Sequence, residues 1–146
     1  MNKLKSIVVA SLSVFVLAGC GEVEVEDLYG NYEIVEAGVG VVKGTDIEVD
    51  EEYKDVLSHF KNNKIRILEN EFFTTGAYTL EVMKVANPTY KILEETDGSK
   101  TLYVYENGNS IAKYTIFSED RIMGKAKMRR NGSEGLHGFG FFEKQK

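Results

Sequence analysis

The residue with the most evident chemistry in this sequence is its single cysteine. Cys20 is the only cysteine among 146 residues, so no disulfide can form within the chain. The run from Ile7 to Leu17, directly before it, is almost unbroken apolar sequence, and Lys3 and Lys5 precede that run. A free thiol in an oxidising compartment is a liability. The position of Cys20 therefore indicates a thiol that is modified.

The start of the chain has the three parts of a secretory signal: basic residues, a short apolar run, and small residues before a cleavage site. The apolar run is too short to span a membrane, which takes about 20 residues. Its end, Leu17-Ala18-Gly19-Cys20, resembles the lipobox of bacterial lipoproteins. The resemblance implies that Leu17, Ala18 and Gly19 are recognised by a signal peptidase, that residues 1–19 are removed, and that the Cys20 thiol carries a diacylglyceryl group. An ordinary signal, with Cys20 a free or buried thiol, is the alternative.

The same resemblance implies a protein anchored by lipid in a bacterial envelope and facing outside the cytoplasm. A Gram-positive surface and a Gram-negative periplasm both remain open. Residues 20–28 then form the lipidated cysteine and a short acidic tether, and residues 29–146 form a single domain. The tether sequence GEVEVED, residues 21–27, reaches at most about 25 Å when extended. We expect a monomer held close to the membrane surface.

Other residues that could do chemistry are few. The alternating acids Asp46, Glu48 and Asp50 could open a calcium loop, but its sixth and twelfth positions hold Glu51 and Leu57 instead of glycine and glutamate. We interpret these acids as an exposed strand face followed by a helix cap. The two histidines, His59 and His137, have no metal-binding grouping, and no serine lies in a Gly-x-Ser-x-Gly elbow. The sequence predicts no catalytic residue, no metal and no cofactor.

Charge is distributed unevenly along the chain. Residues 20–58 contain 12 acidic and 2 basic residues, whereas residues 100–146 contain 9 basic and 5 acidic residues. Lys125, Lys127 and Arg129 share one face of a predicted strand and Arg130 lies beside them. This basic strip could contact anionic lipid head groups, wall polymers or an acidic protein, or it could be a solvated face that discourages edge pairing. A nucleic-acid partner is not expected, because no dense basic face joins an aromatic stacking motif.

The elements that must position these residues are predicted to be strands with one helix. Tyr53, Val56, Leu57 and Phe60 recur at helical spacing and predict an amphipathic helix over residues 50–62. Elsewhere short runs alternate with a period of two, which is typical of half-buried strands, and turn pairs such as Asn-Gly and Asp-Gly separate them. We predict a mainly β protein: a small antiparallel meander β-barrel of about eight strands, with an open sheet packed on the helix as the competing architecture.

The sequence Gly30-Asn31-Tyr32 on the first predicted strand, followed by a long meander, resembles the lipocalin and calycin class of small barrels. Lipocalins usually have tryptophan where Tyr32 stands. The resemblance implies that Tyr32 closes one end of the barrel, that Arg129 or Arg130 packs across it, and that the interior binds a small apolar molecule. Gly124 and Ala126 share a strand face, where they either leave space for a ligand or make room for the helix or for large aromatic side chains.

Three classes of function are consistent with these observations. The first is a membrane-anchored, lipocalin-like protein that binds a small apolar or amphiphilic ligand without enzymatic activity. The second is a lipoprotein that binds another envelope protein through exposed loops, as an inhibitor or an immunity-type protein does. An enzyme is the third and least favoured class, because no catalytic arrangement stands out in the sequence.

Overall fold

The computed structural model describes residues 22–51, 61–75, 82–127 and 136–146. These residues form ten strands and one turn of 3-10 helix, Val25–Leu28. In chain order the strands are β1 (Gly30–Lys43), β2 (Asp46–Val49), β3 (Lys64–Leu68), β4 (Glu71–Thr74), β5 (Met83–Ala86), β6 (Thr89–Glu94), β7 (Lys100–Glu106), β8 (Asn109–Ser118), β9 (Arg121–Lys127) and β10 (Leu136–Lys144).

All ten strands belong to one antiparallel sheet. Its order is β5-β4-β3-β1-β10-β9-β8-β7-β6, and β2 pairs with the far end of β1. Strands β6 to β10 are neighbours in chain order, so the antiparallel meander predicted for the second half of the chain is confirmed. Asn107 and Gly108, with φ of 52° and 83°, join β7 to β8. Positive φ at both central residues is what a tight hairpin turn requires.

The sheet is not closed into a barrel, so that part of the fold prediction is wrong. No pairing joins the edge strands β5 and β6 among the described residues, although only Asn87 and Pro88 separate them along the chain. Asn87 has a φ of 53°, and its N–H donates to the Asn70 carbonyl at 2.9 Å. Pro88 has no N–H to donate to a ladder. The link between β5 and β6 is therefore a corner and not a hairpin.

The helix predicted over residues 50–62 falls mainly on residues 52–60, which lie outside the described residues. Within the part of the chain that the structure describes there is no α-helix, and the turn Val25–Leu28 is the longest helical segment.

The inner face of the sheet surrounds the main core. Phe72 on β4 and Tyr114 on β8 lie far apart in the strand order, yet their ring centroids are 6.2 Å apart. The sheet has therefore curled until strands from its two halves share one interior. The core includes fully buried side chains from both halves: Tyr32, Ile65, Ile67, Phe72, Leu102, Val104, Ile122 and Phe142. Large side chains fill the interior at this level.

A smaller core lies on the outer face of the sheet. It consists of Val42, Met123, Phe139 and Phe141. A bulge between Ile34 and Glu36 shifts the register of β1, and the hairpin of β1 and β2 then contributes Val42 and Ile47 to this cluster. We call residues 38–49 the cover hairpin.

Gly40 allows the cover hairpin its close backbone packing. A Cβ atom at this position would lie 2.4 Å from the Glu48 carbonyl oxygen on the neighbouring strand. Such a contact is far shorter than van der Waals packing permits, so only a residue without a side chain fits here. The glycine-rich stretch 38–44 is thus strand as far as Lys43, with a close backbone approach at Gly40.

Candidate functional site

The strongest candidate site is a polar cleft of about 270 Å³ on the outer face of strands β7, β8 and β9. Thr101, Thr115 and Met123 lie side by side on these strands, because Thr101 pairs with Thr115 and Thr115 pairs with Met123. All three are buried, so they form a floor. The rim carries the polar side chains of Glu95, Asp97, Ser99, Tyr103, Lys113 and Lys125. We call this site the Thr101 cleft.

The cover hairpin closes one side of the Thr101 cleft. Gly44 at its tip lines the cleft together with Asp97 of the turn between β6 and β7. A Cβ atom on Gly44 would lie 2.7 Å from an oxygen of the Asp97 carboxylate. The site is thus built from two distant parts of the chain, the hairpin of β1 and β2 and the meander of β6 to β9.

The carboxylate of Glu95 is held in place by two hydroxyl groups. The Tyr103 hydroxyl donates a hydrogen bond to Glu95 Oε2 at 2.8 Å. Hydrogen bonds from Thr101 and then from Tyr103 lower the pKa of Glu95, and the positive charge of Lys113 adds to this effect. The same hydrogen bond raises the pKa of Tyr103, which must keep its proton to donate. Glu95 is therefore an ionised acceptor with a fixed orientation.

The Asp97 carboxylate is fixed in a similar way. Its Oδ1 accepts hydrogen bonds from the Ser99 N–H at 2.9 Å and from the Ser99 hydroxyl at 2.6 Å. These bonds lower the pKa of Asp97, and the charge of Lys125 contributes further. Because both bonds go to Oδ1, the second oxygen of this carboxylate keeps its capacity to accept from a ligand.

Two lysines complete the rim. Lys113 and Lys125 are exposed, and neither lies within the 4.0 Å ion-pair distance of an acidic group among the described residues. Each ammonium group can donate three hydrogen bonds. The cleft therefore presents two fixed carboxylate acceptors and two ammonium donors to the same small volume.

The first described residues of the chain contact β7 near the cleft. Glu22 Oε2 is 3.3 Å from the Nζ atom of Lys100, which lies between Ser99 and Thr101 in the chain. The pair is largely exposed, so it contributes little to stability. Alternation along β7 places Lys100 on the face of Leu102 and Val104, opposite the face that carries the Thr101 cleft.

Tyr32 is buried in the main core. Its hydroxyl donates to the Leu28 carbonyl at 2.7 Å, and Lys144 Nζ lies 5.8 Å from the centre of its ring. A Cβ atom on Gly30 would lie 3.1 Å from the Cγ and Cδ atoms of Lys144, which is a tight contact. Gly30 thus makes room for a basic side chain from the last strand, which packs over the tyrosine. The lipocalin resemblance had implied Arg129 or Arg130 for this place, and both lie outside the described residues.

The residues named from the sequence are placed as follows. Leu17, Ala18, Gly19 and Cys20 lie outside the described residues, as do Arg129 and Arg130. Lys125 lies on the rim of the Thr101 cleft, and Lys127 pairs with His137 through the backbone.

The two small residues predicted to border the interior lie on β9. Gly124 is buried and Ala126 is half-buried. They pair with Gly140 and Gly138 of β10, so the stripe of small residues on this inner face is two strands wide.

Sequence reasoning missed the main members of the cleft: Glu95, Asp97, Thr101, Tyr103 and Lys113. They come from one turn and two strands, and only the register of β7 with β8 brings them together. A signal was present in the run KTLYVYE, whose hydroxyl-bearing residues Thr101, Tyr103 and Tyr105 alternate with buried Leu102 and Val104. Such alternation marks a second, polar face.

The comparisons with known proteins give no relative for this chain. No family model matches it, and neither a curated protein nor a solved structure matches it. Among the described residues, no helix has the length and apolar character that crossing a bilayer requires. The geometry of the Thr101 cleft therefore carries the functional assignment.

Proposed function

We propose that this protein is a lipid-anchored envelope protein that binds a polar ligand in the Thr101 cleft without transforming it. The observation that carries this proposal is the cleft itself: two fixed carboxylates, two lysines and several hydroxyls around about 270 Å³. Sites for small molecules are typically concave, with a few oriented polar groups. Here the two carboxylates are held before any ligand arrives, which lowers the entropic cost of binding.

The packing of the interior supports an outer site over an inner one. Phe72 and Tyr114 meet within the core, and Tyr32 is buried in the same core. The inner face is thus occupied by large side chains at this level. The ligand in this proposal is therefore polar and bound on the outer face, whereas the lipocalin resemblance had implied an apolar molecule in the interior.

Binding without reaction is supported by the state of the two carboxylates. Catalysis by paired carboxyl groups needs one with a raised pKa, so that it can donate a proton near neutral pH. Hydrogen bonds lower the pKa of both Glu95 and Asp97. Both are therefore ionised at neutral pH and act as acceptors.

The test of ligand binding is native mass spectrometry of the full-length protein released from membranes in a mild detergent. We expect a bound non-protein mass that is lost in Lys113→Ala. Lys84→Ala, an exposed lysine on β5, is the matched control and should keep the ligand. A protein that is repeatedly found empty would contradict the proposal. A stoichiometric protein partner crosslinked in the envelope would favour the protein-binding alternative.

The anchor has a separate test. Cys20→Ser removes the thiol that the lipid group would modify, so we expect uncut precursor without lipid. The measurement is the apparent mass and the distribution of the protein between membrane and soluble fractions. If the variant is processed and distributed as the wild type is, the anchor part of the proposal is wrong.

A further inference from the structure

The charges around the Thr101 cleft restrict the ligand. Glu95 and Asp97 are acceptors that would repel an anion, and Lys113 and Lys125 are donors that would repel a cation. An uncharged molecule with many hydroxyl groups meets neither repulsion. Each hydroxyl of such a molecule can both donate to a carboxylate and accept from an ammonium group. Its hydroxyls can therefore bind both the carboxylates and the lysines of the rim.

An aromatic surface lies next to these polar groups. Tyr103 on the rim and Tyr105, two residues further along β7, have ring centroids 6.3 Å apart and planes inclined by 25°. Both side chains are half-buried. The negative face of an aromatic ring attracts the weakly positive C–H groups on the flat side of a sugar ring. Polar edges and an apolar flat side are the two properties that a sugar combines.

We propose that the Thr101 cleft binds an uncharged sugar, with its hydroxyls on Glu95, Asp97 and the two lysines and its C–H face toward Tyr103. This inference rests on the proposed function and names the ligand class for the same site. The volume of about 270 Å³ is at the small end of ligand sites, so it suits a single sugar ring with part of the next. Met123 in the floor supplies apolar contact from below.

The position of the tether indicates where the sugar is found. Glu22 is paired with Lys100, whose chain neighbours Ser99 and Thr101 line the cleft, and Cys20 precedes Glu22 by two residues, a span of about 7 Å. A lipid on Cys20 would keep the cleft at the membrane surface. The sugar is then either the head group of a glycolipid or a unit of a neutral envelope polysaccharide.

The experiment uses the full-length protein in a detergent without a sugar head group, since such a head group would compete. Binding is measured against an array of neutral oligosaccharides, and hits are titrated by calorimetry. For Glu95→Gln we expect the Kd to rise about tenfold or more, because a charge-assisted hydrogen bond is lost. Tyr103→Phe should also weaken binding, since it frees the Glu95 carboxylate to move.

The matched control is Glu94→Gln, an exposed acid one residue earlier on β6, which should leave the Kd unchanged within about twofold. The sugar should be recovered uncleaved. If no neutral oligosaccharide binds, or if Glu95→Gln binds as the wild type does, the inference is overturned. If phosphocholine binds at the cleft and sugars do not, the inference fails although the proposed function stands. If the Lys113→Ala variant still carries the bound mass in native mass spectrometry, the proposed function itself is wrong.

The source of the sugar is distinguished by reconstitution. The protein is placed in phosphatidylglycerol nanodiscs with or without digalactosyl diacylglycerol, and the affinity for a soluble oligosaccharide hit is compared. Weaker apparent binding in the presence of the glycolipid supports a membrane head group. Equal binding in both discs supports a polysaccharide source.

Discussion

The inner and outer faces of strands β7, β8 and β9 are made by alternate residues of the same strands, yet they differ in almost every property. On the inner face, Leu102, Tyr114 and Ile122 are buried in the main core. On the outer face, Thr101, Tyr103 and Lys113 line a cleft. The one-residue alternation of a strand is therefore enough to separate a stabilising face from a binding face.

The hydroxyls of two tyrosines show how the roles of the two faces differ. Tyr114 on the inner face is fully buried, and its hydroxyl makes a hydrogen bond with Thr74 across the core. Tyr103 on the outer face donates to Glu95 in the cleft. The first bond satisfies a polar group inside a packed core, whereas the second orients an acceptor toward solvent. We expect substitutions on the inner face to change stability, and substitutions on the outer face to change ligand binding.

The largest effect should come from Phe72→Ala on the inner face. Phe72 is fully buried against the Tyr114 ring, so its removal should lower the free energy of unfolding by about 3–5 kcal/mol. Phe73→Ala is the matched control, because Phe73 is the next residue on β4 and contacts Arg66 on the other face. We expect it to cost about 1 kcal/mol. Urea denaturation of both variants measures the difference; equal losses would contradict the assignment of the two faces.

A smaller loss of stability is expected for Tyr114→Phe, and the size of this loss should depend on pH. Losing the hydrogen bond to Thr74 should cost about 0.5–1.5 kcal/mol at neutral pH. Burial raises the pKa of Tyr114 from 10.0 to about 12, so above pH 10 the unfolded chain loses this proton before the folded one. Wild-type stability should therefore fall as the pH rises from about 10 to about 12.

The stability of Tyr114→Phe should fall less steeply than that of the wild type over this alkaline range, because the variant has one titrating tyrosine fewer. Burial also raises the pKa values of Tyr32 and Tyr90, so some alkaline loss remains in both proteins. The measurement is the free energy of unfolding at a series of alkaline pH values. Parallel curves for wild type and variant would show that Tyr114 is not the buried group described.

The smallest effect on stability is expected for Tyr103→Phe on the outer face. The variant loses the hydrogen bond to Glu95, so the pKa of Glu95 should rise toward its ordinary value of 4.5. Because this pKa is lowered in the fold, Glu95 favours the folded state above pH 4.5, and the contribution is lost as the pH falls. The stability of Tyr103→Phe should therefore change less with pH in this acidic range.

Titration of the Glu95 carboxyl by NMR measures the shift directly. Tyr105→Phe is the matched control, since Tyr105 lies on the same face two residues further along β7 and should leave the Glu95 titration as in the wild type. A Glu95 pKa that does not move in Tyr103→Phe would mean that the hydrogen bond does not orient this carboxylate.

Local patterns in the sequence were sufficient to predict the strands and turns of the meander. The runs KIRILE and KTLYVYE predicted strands and coincide with β3 and β7, because alternation is a property of neighbouring residues. Asn107-Gly108 predicted a tight turn for the same reason, since each residue accepts a positive φ. The mainly β class followed from these local signals.

Closure of the sheet and the position of the cleft depend on more than local pattern. Whether β5 pairs with β6 depends on the path of the chain at Asn87 and Pro88 and on the curl of the whole sheet, and a short sequence reveals neither. The cleft requires Thr101 to face Thr115 and Gly44 to reach Asp97. Register between strands and the path of the cover hairpin determine both contacts, so residue types alone did not predict the site.

The place of β10 in the sheet has a consequence for the order of folding. β10 lies between β1 and β9, so it is the strand that joins the first half of the sheet to the meander. Until β10 has been synthesised, β1 lacks its longest partner and the two halves share no ladder. Non-local pairing of this kind delays folding. The two halves can therefore be joined by a continuous ladder only when the last strand is available, whereas the hairpins within each half can pair before it.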